Sequence, residues 1–187
     1  MPYDYKEIAS NARAFHDVGM LLFSEPEKWP IAPYSSPFLV NIAFSCELYM
    51  KAIITYYNRN ISKSELKDLG HRLDKLFNAL PLQIQSEIIT KIPDSMVKKQ
   101  QIEQKKRYIA FLERNHNPQE RKMLEHRISI TVSTFREMLA NNANIFDNWR
   151  YLFDENNGSI KSCDIWFLEK LSNELHNIMV GIMNLKS

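Results

Sequence analysis

An all-α fold, a bundle of antiparallel helices in one domain over residues 1–187, is what three features of the sequence predict. The first is the stretch Pro37–Tyr57, long enough for about six turns at 3.6 residues per turn. Leu39, Ile42, Cys46, Met50, Ile53 and Tyr57 form one apolar stripe on it, and Val40, Phe44, Leu48 and Ala52 form a second. Such a helix is central. The second feature is punctuation: Gly is rare, at 4 residues, while the 8 Pro stand mostly where helices begin or end. The third is the lack of any strand-turn-strand rhythm. With 44% apolar residues the chain has enough material for a full core.

In order along the chain, Asp4 can cap a first helix reaching about Phe23, with Ile8, Ala12, Phe15, Val18 or Gly19, and Leu22 on one face. Ser24 to Ser36 holds Pro26, Pro30 and Pro33 and reads as a loop, and Ser36-Pro37 as cap and first turn of the central helix. Leu73, Leu76, Phe77 and Leu80 mark a short helix entered through Gly70-His71. Pro81 opens the next and Pro93 stops it, after which Asp94 or Ser95 caps a basic, mostly exposed helix running to Asn115. From Pro118 the period predicts one helix through Ala140, although the β-branched run Ile128–Phe135 lowers its propensity. Ile145, Phe146, Trp149 and Leu152 or Phe153 face inward after it, Asp154–Ser159 turns the chain, and a last helix covers about Lys161–Leu185.

Composition bounds the function. The net charge of +2 is small, but Lys91–Arg127 carries ten Lys or Arg against five Asp or Glu, so the positive charge is local. Cys46 and Cys163 stand alone and read as buried thiols in a reducing compartment. The N-terminus lacks the apolar core of a secretory signal, and the central helix is broken by Asn41, Ser45, Glu47 and Lys51, so a cytoplasmic protein without a membrane span is expected. No glycine-rich phosphate loop, His-Glu-x-x-His or Cys pair is present, so no cofactor or metal is expected.

The polar seam of the central helix, Glu47, Lys51, Thr55 and Asn58, is its most informative feature, with Glu47 four residues before Lys51 in the favourable order. Ser45–Ile53 (SCELYMKAI), then Gly70–Leu80 (GHRLDKLFNAL), then Phe146–Glu155 (FDNWRYLFDE) together resemble the HEPN superfamily. The resemblance implies a HEPN-like helical bundle with extra helices, commonly a homodimer. It implies work on RNA in bacterial toxin–antitoxin or phage-defence systems, or docking of a partner such as an antitoxin or a nucleotidyltransferase.

Nuclease members carry an Arg and, several residues on, a His. That pair suits metal-free RNA cleavage, with an imidazole moving the proton of the 2′-hydroxyl and a guanidinium neutralising the phosphorane. Here the match is Arg121 and His126, although on a straight helix they would project about 140° apart and they precede the usual position of the motif. Arg114 and His116 make a second basic pair in a turn, and His176-Asn177 reads as a polar helix face. His71 either carries protons beside Glu47 and Lys51 or bonds Glu47 to fix how its short helix docks. The need of buried polar groups for partners favours the second. Arg150, between Trp149 and Tyr151, would bind phosphate or pair with an acid, and Lys105, Lys106 and Arg107 with Tyr108 and Phe111 would track an RNA backbone.

Overall fold

The structure is a computed structural model that describes residues 4–23, 32–115, 118–119, 133–145 and 164–184. All of its described elements are helices: α1 (Tyr5–Phe23), α2 (Ala32–Tyr57), α3 (Lys63–Asp68), α4 (Leu73–Ala79), α5 (Leu82–Lys91), α6 (Asp94–Asn115), α7 (Phe135–Asn141) and α8 (Ile165–Asn184).

Helix α2 is the axis. Phe38, Leu39, Ile42, Ala43, Cys46, Met50, Ala52 and Ile53 are all fully buried, because α1, α4 and α8 cover it from different sides. Its segment Pro37–Tyr57 is apolar enough to cross a membrane by length and composition, yet 72% of that window is buried within the bundle. Tyr5 meets Tyr56 and Phe15 meets Phe44, so α1 runs antiparallel to α2. Cys46 reaches the Leu168 carbonyl and Tyr49 reaches His176, so α8 runs alongside α2 in the same direction. The approach of α1 is close because of Gly19: a methyl group there would lie 2.6 Å from Cδ1 of Ile42.

The middle of the chain wraps one end of this trio. Ser62 and Glu65 form a reciprocal capping box that starts α3, and Gly70, at φ 66°, turns the chain into α4. Phe77 of α4, Phe135 of α7 and Phe167 of α8 pack in sequence, the first pair tilted and the second edge-on, with centroids 5.2 and 5.3 Å apart. Asp94, at the start of α6, accepts the backbone N–H of Phe135 at 2.7 Å. Gln101 of α6 accepts from the Ser133 N–H at 2.9 Å, which fixes α6 beside the start of α7.

Two boundaries differ from the sequence reading. Helix α2 starts at Ala32 rather than Pro37, so Pro37 lies inside it. The period that suggested one helix from Pro118 through Ala140 is broken at Thr134, which is extended at ψ 169° and caps a new helix. The Thr134 hydroxyl accepts from Glu137 N and the Glu137 carboxylate accepts from Thr134 N, so local capping outweighs the apolar period there. The period of the last helix places Ile165, Leu168, Leu171, Leu175, Ile178, Met179 and Ile182 inward, and all of these are buried except Ile165, which is only partly so. The turn read at Asp154–Ser159 and the inward residues from Phe146 to Phe153 lie outside the described residues.

Gly19→Ala should lower the unfolding free energy by about 1 kcal/mol: alanine favours the helix by about 1 kcal/mol, but overpacking a filled core costs roughly 1–3. Ile42→Val removes the crowding Cδ1 carbon, so urea unfolding of the double variant should show less loss than the two single losses added together. Simple additivity would mean that the two residues do not crowd each other.

Candidate functional site

Of the residues picked out from sequence, the structure brings three together. The Glu47 carboxylate, on the buried face of α2 and 1% exposed, accepts from Lys51 Nζ at 2.8 Å one turn along the same helix. His71, just past the Gly70 turn, places Nδ1 at 3.0 and 2.9 Å from the two Glu47 oxygens. Thr55 adds nothing to this cluster, since its hydroxyl turns back to the Lys51 carbonyl at 2.8 Å.

The three side chains differ in access. Glu47 is sealed, Lys51 is 14% exposed and His71 is 46% exposed, so the imidazole is the member that meets solvent. A buried carboxylate bonded to one ring nitrogen fixes both the tautomer and the ring orientation, and it stabilises an imidazolium if one forms. The arrangement can hold a histidine ready for proton transfer. It also docks the Gly70 turn onto α2, the architectural role read from the sequence.

The remaining candidates are not gathered there. Lys106, exposed on α6, pairs with Glu103 at 3.1 Å, and Lys105 and Arg107 flank it on the same helix. Arg121, His126 and Arg150 lie outside the described residues, as does His116. Among the described residues, no group of three or more His, Cys, Asp or Glu side chains is placed to share a metal ion.

A second polar cluster, between α1, α2 and α8, was not read from the sequence. His16 of α1 contacts the Ser172 hydroxyl at 2.8 Å, and Ser172 contacts Ser45 at 2.7 Å. Tyr49 meets Nδ1 of His176 at 2.6 Å, and the rings of His16 and His176 stack 4.8 Å apart with planes 2° from parallel. Burial holds both imidazoles below the usual histidine range, and His16 is lowered further by His176. Burial also pushes the Cys46 thiol up to about 12 and raises the Tyr49 phenol. The available signal was a polar pair four residues apart on each of two apolar helices, Ser45 with Tyr49 and Ser172 with His176. His176 had been assigned to a polar face, whereas it stands at the seam of three helices.

No family model matches the chain, and neither the curated proteins nor the solved structures give a match at a significant level.

Glu47→Gln leaves the Lys51 ammonium mostly buried without its counter-charge and should destabilise the fold by about 3 kcal/mol or more in urea unfolding. Replacing Glu47 by Leu and Lys51 by Met together should recover most of that loss. A deficit in the double variant as large as that of Glu47→Gln would show that packing, not charge, is what Glu47 supplies. Cys46 is fully buried with a thiol pushed up to about 12, so in a Cys163→Ser background a thiol reagent at pH 8 should modify it only at the rate of unfolding. Fast labelling of the native protein would contradict that burial.

Proposed function

We propose that this chain is a cytoplasmic, RNA-associated protein of the HEPN kind, acting in a bacterial toxin–antitoxin or phage-defence system as a homodimer. The observation that carries the reading is the Glu47–Lys51–His71 cluster. The two segments on which the resemblance rests most, Ser45–Ile53 and Gly70–Leu80, meet where His71 Nδ1 lies 2.9 and 3.0 Å from the Glu47 carboxylate oxygens.

The chemistry proposed for the cluster is metal-independent RNA transesterification. His71, oriented by Glu47, takes the proton of a ribose 2′-hydroxyl as that oxygen bonds to the adjacent phosphorus. The bond from phosphorus to the 5′-oxygen breaks, and the proton returns to that oxygen. The products are a 2′,3′-cyclic phosphate and a 5′-hydroxyl. Positive charge for the phosphorane would come from Lys51 or from the basic helix α6, where Lys98, Lys99 and Lys106 are exposed. Arg121 and His126 remain the alternative catalytic pair, and Arg150 the alternative phosphate ligand.

A second reading, a silent module that docks an antitoxin, a nucleotidyltransferase or another protein, is favoured by apolar side chains left in solvent. Leu82 is 78% exposed and Leu21 66%.

The deciding experiment incubates the purified protein with a mixed RNA pool in excess chelator and analyses the new ends. Cleavage that leaves 2′,3′-cyclic phosphates and falls by about 100-fold or more in His71→Gln supports His71 chemistry, since removing one acid–base group typically costs 10²–10⁴. Cleavage lost in His126→Ala but kept in His71→Gln moves the site to Arg121 and His126. RNA bound and not cut, or neither bound nor cut at high protein concentration, favours the docking module.

A further inference from the structure

The hydroxyls between α1, α2 and α8 leave their protons only one consistent arrangement. Ser45 donates its single O–H to the Ile42 carbonyl at 2.8 Å, so in its contact with Ser172 it accepts. Ser172 therefore gives its own proton to Ser45 and accepts from His16 Nδ1–H. A neutral imidazole has one N–H, which leaves Nε2 of His16 as a bare lone pair. His16 is 7% exposed, and nothing among the described residues hydrogen-bonds to that nitrogen.

The facing ring has the opposite tautomer. Tyr49 is 1% exposed, and its hydroxyl meets only His176 Nδ1 among the described residues. A buried phenol must donate somewhere, so it donates to Nδ1, and His176 carries its proton on Nε2. An added proton cannot enter at His176 Nδ1 without stranding the Tyr49 O–H. It enters at His16 Nε2, where it finds no acceptor among the described residues, and the resulting cation lies stacked on the His176 ring.

We propose that the His16–His176 stack is an acid-operated latch: protonation of His16 at Nε2 places an unpaired cation in the seam and releases α1 from α2 and α8. Among the described residues no acid is left to pair with it. On α1, Asp17 would favour the charge and Arg13 oppose it, and the two already pair with each other at 3.6 Å in an exposed position. On α2, Cys46 and Tyr49 stay neutral, and Glu47 is bound by Lys51 and His71. On α8, the buried Glu169 is bound by Asn173 and Lys170, and Glu174 is partly exposed.

Helix α1 is the element that yields, because His16 is the one large side chain among its described buried residues, the others being Ala9, Ala12 and Gly19, while Ile8, Met20 and Leu22 are only partly covered. Local opening starts where that buried contact is lost. The sign of the pH dependence follows from the lowered pKa of His16. The folded seam binds fewer protons than the open chain, so its stability is complete above the unfolded histidine value of about 6.5. It is lost as pH falls from there through the folded value, at up to about tenfold in the opening constant per pH unit.

Hydrogen–deuterium exchange on the intact protein at pH 7.5 and 5.5, corrected for intrinsic rates, tests the latch. Protection of residues 5–23 should fall at least several-fold more than that of α4 and α5 in the wild type, and not in His16→Phe. Equal loss across the helices, or the same loss in His16→Phe, overturns it. Nitrogen-15 NMR of the wild-type histidines decides without any variant, should His16→Phe not fold. His16 as the Nδ1–H tautomer, titrating below 6.5 in step with loss of α1 protection, supports the latch. An Nε2–H tautomer, titration at or above 6.5, or protection of α1 indifferent to that titration, overturns it.

Discussion

Burying one helix on nearly every side forces the rest of this structure. The polar side chains that helix α2 buries cannot turn to water, so each must find a partner inside, and several of those partners come from other elements. Glu47 takes Lys51 from its own helix and His71 from the Gly70 turn. Ser45 and Tyr49 take Ser172 and His176 from α8, and Ser172 in turn takes His16 from α1. An unpaired polar atom here would cost about 1–3 kcal/mol, comparable with a large part of a domain's net stability. The polar atoms of α2 therefore fix where its neighbours sit, while its apolar atoms supply the attraction.

The two histidine environments follow from that division. His71 is held by a buried carboxylate and meets solvent, an arrangement that suits proton transfer. His16 is held by a hydroxyl in a sealed seam, and only its neutral form fits. The same side chain serves reactive chemistry in one place and helix docking in the other. What separates them is whether the fixing partner carries charge.

The axis of the bundle was readable in the sequence because α2 repeats its signal over many turns: two apolar stripes and a seam with Glu47 four residues before Lys51. His71 was readable because Gly70 marks a turn and the resemblance pairs that turn with the seam. The hydroxyl network was not, since His16 is one of several polar residues on α1 and acquires meaning only when α8, some 156 residues away, is laid beside it. The start of α7 is hidden by the apolar period that runs across it. Thr134 and Glu137 have the capping-box spacing, a local hydrogen-bonding pattern that begins a new helix without interrupting that period. At α2, periodicity located the start of the buried face while the helix itself extends back to Ala32.

The column of Phe77, Phe135 and Phe167 rings has a kinetic consequence. The α1–α2 hairpin joins neighbours in sequence, and its aromatic contacts close loops that nest within one another, from Phe15–Phe44 out to Tyr5–Tyr56. The ring column instead joins three residues spread over α4, α7 and α8, so no part of it forms until long stretches of chain have been closed. The docking of α8 on α1 and α2 joins residues still farther apart, so the column and that seam together raise the contact order. Loop-closure entropy favours the α1–α2 hairpin before α8 is seated and Phe135 is enclosed between the rings of α4 and α8.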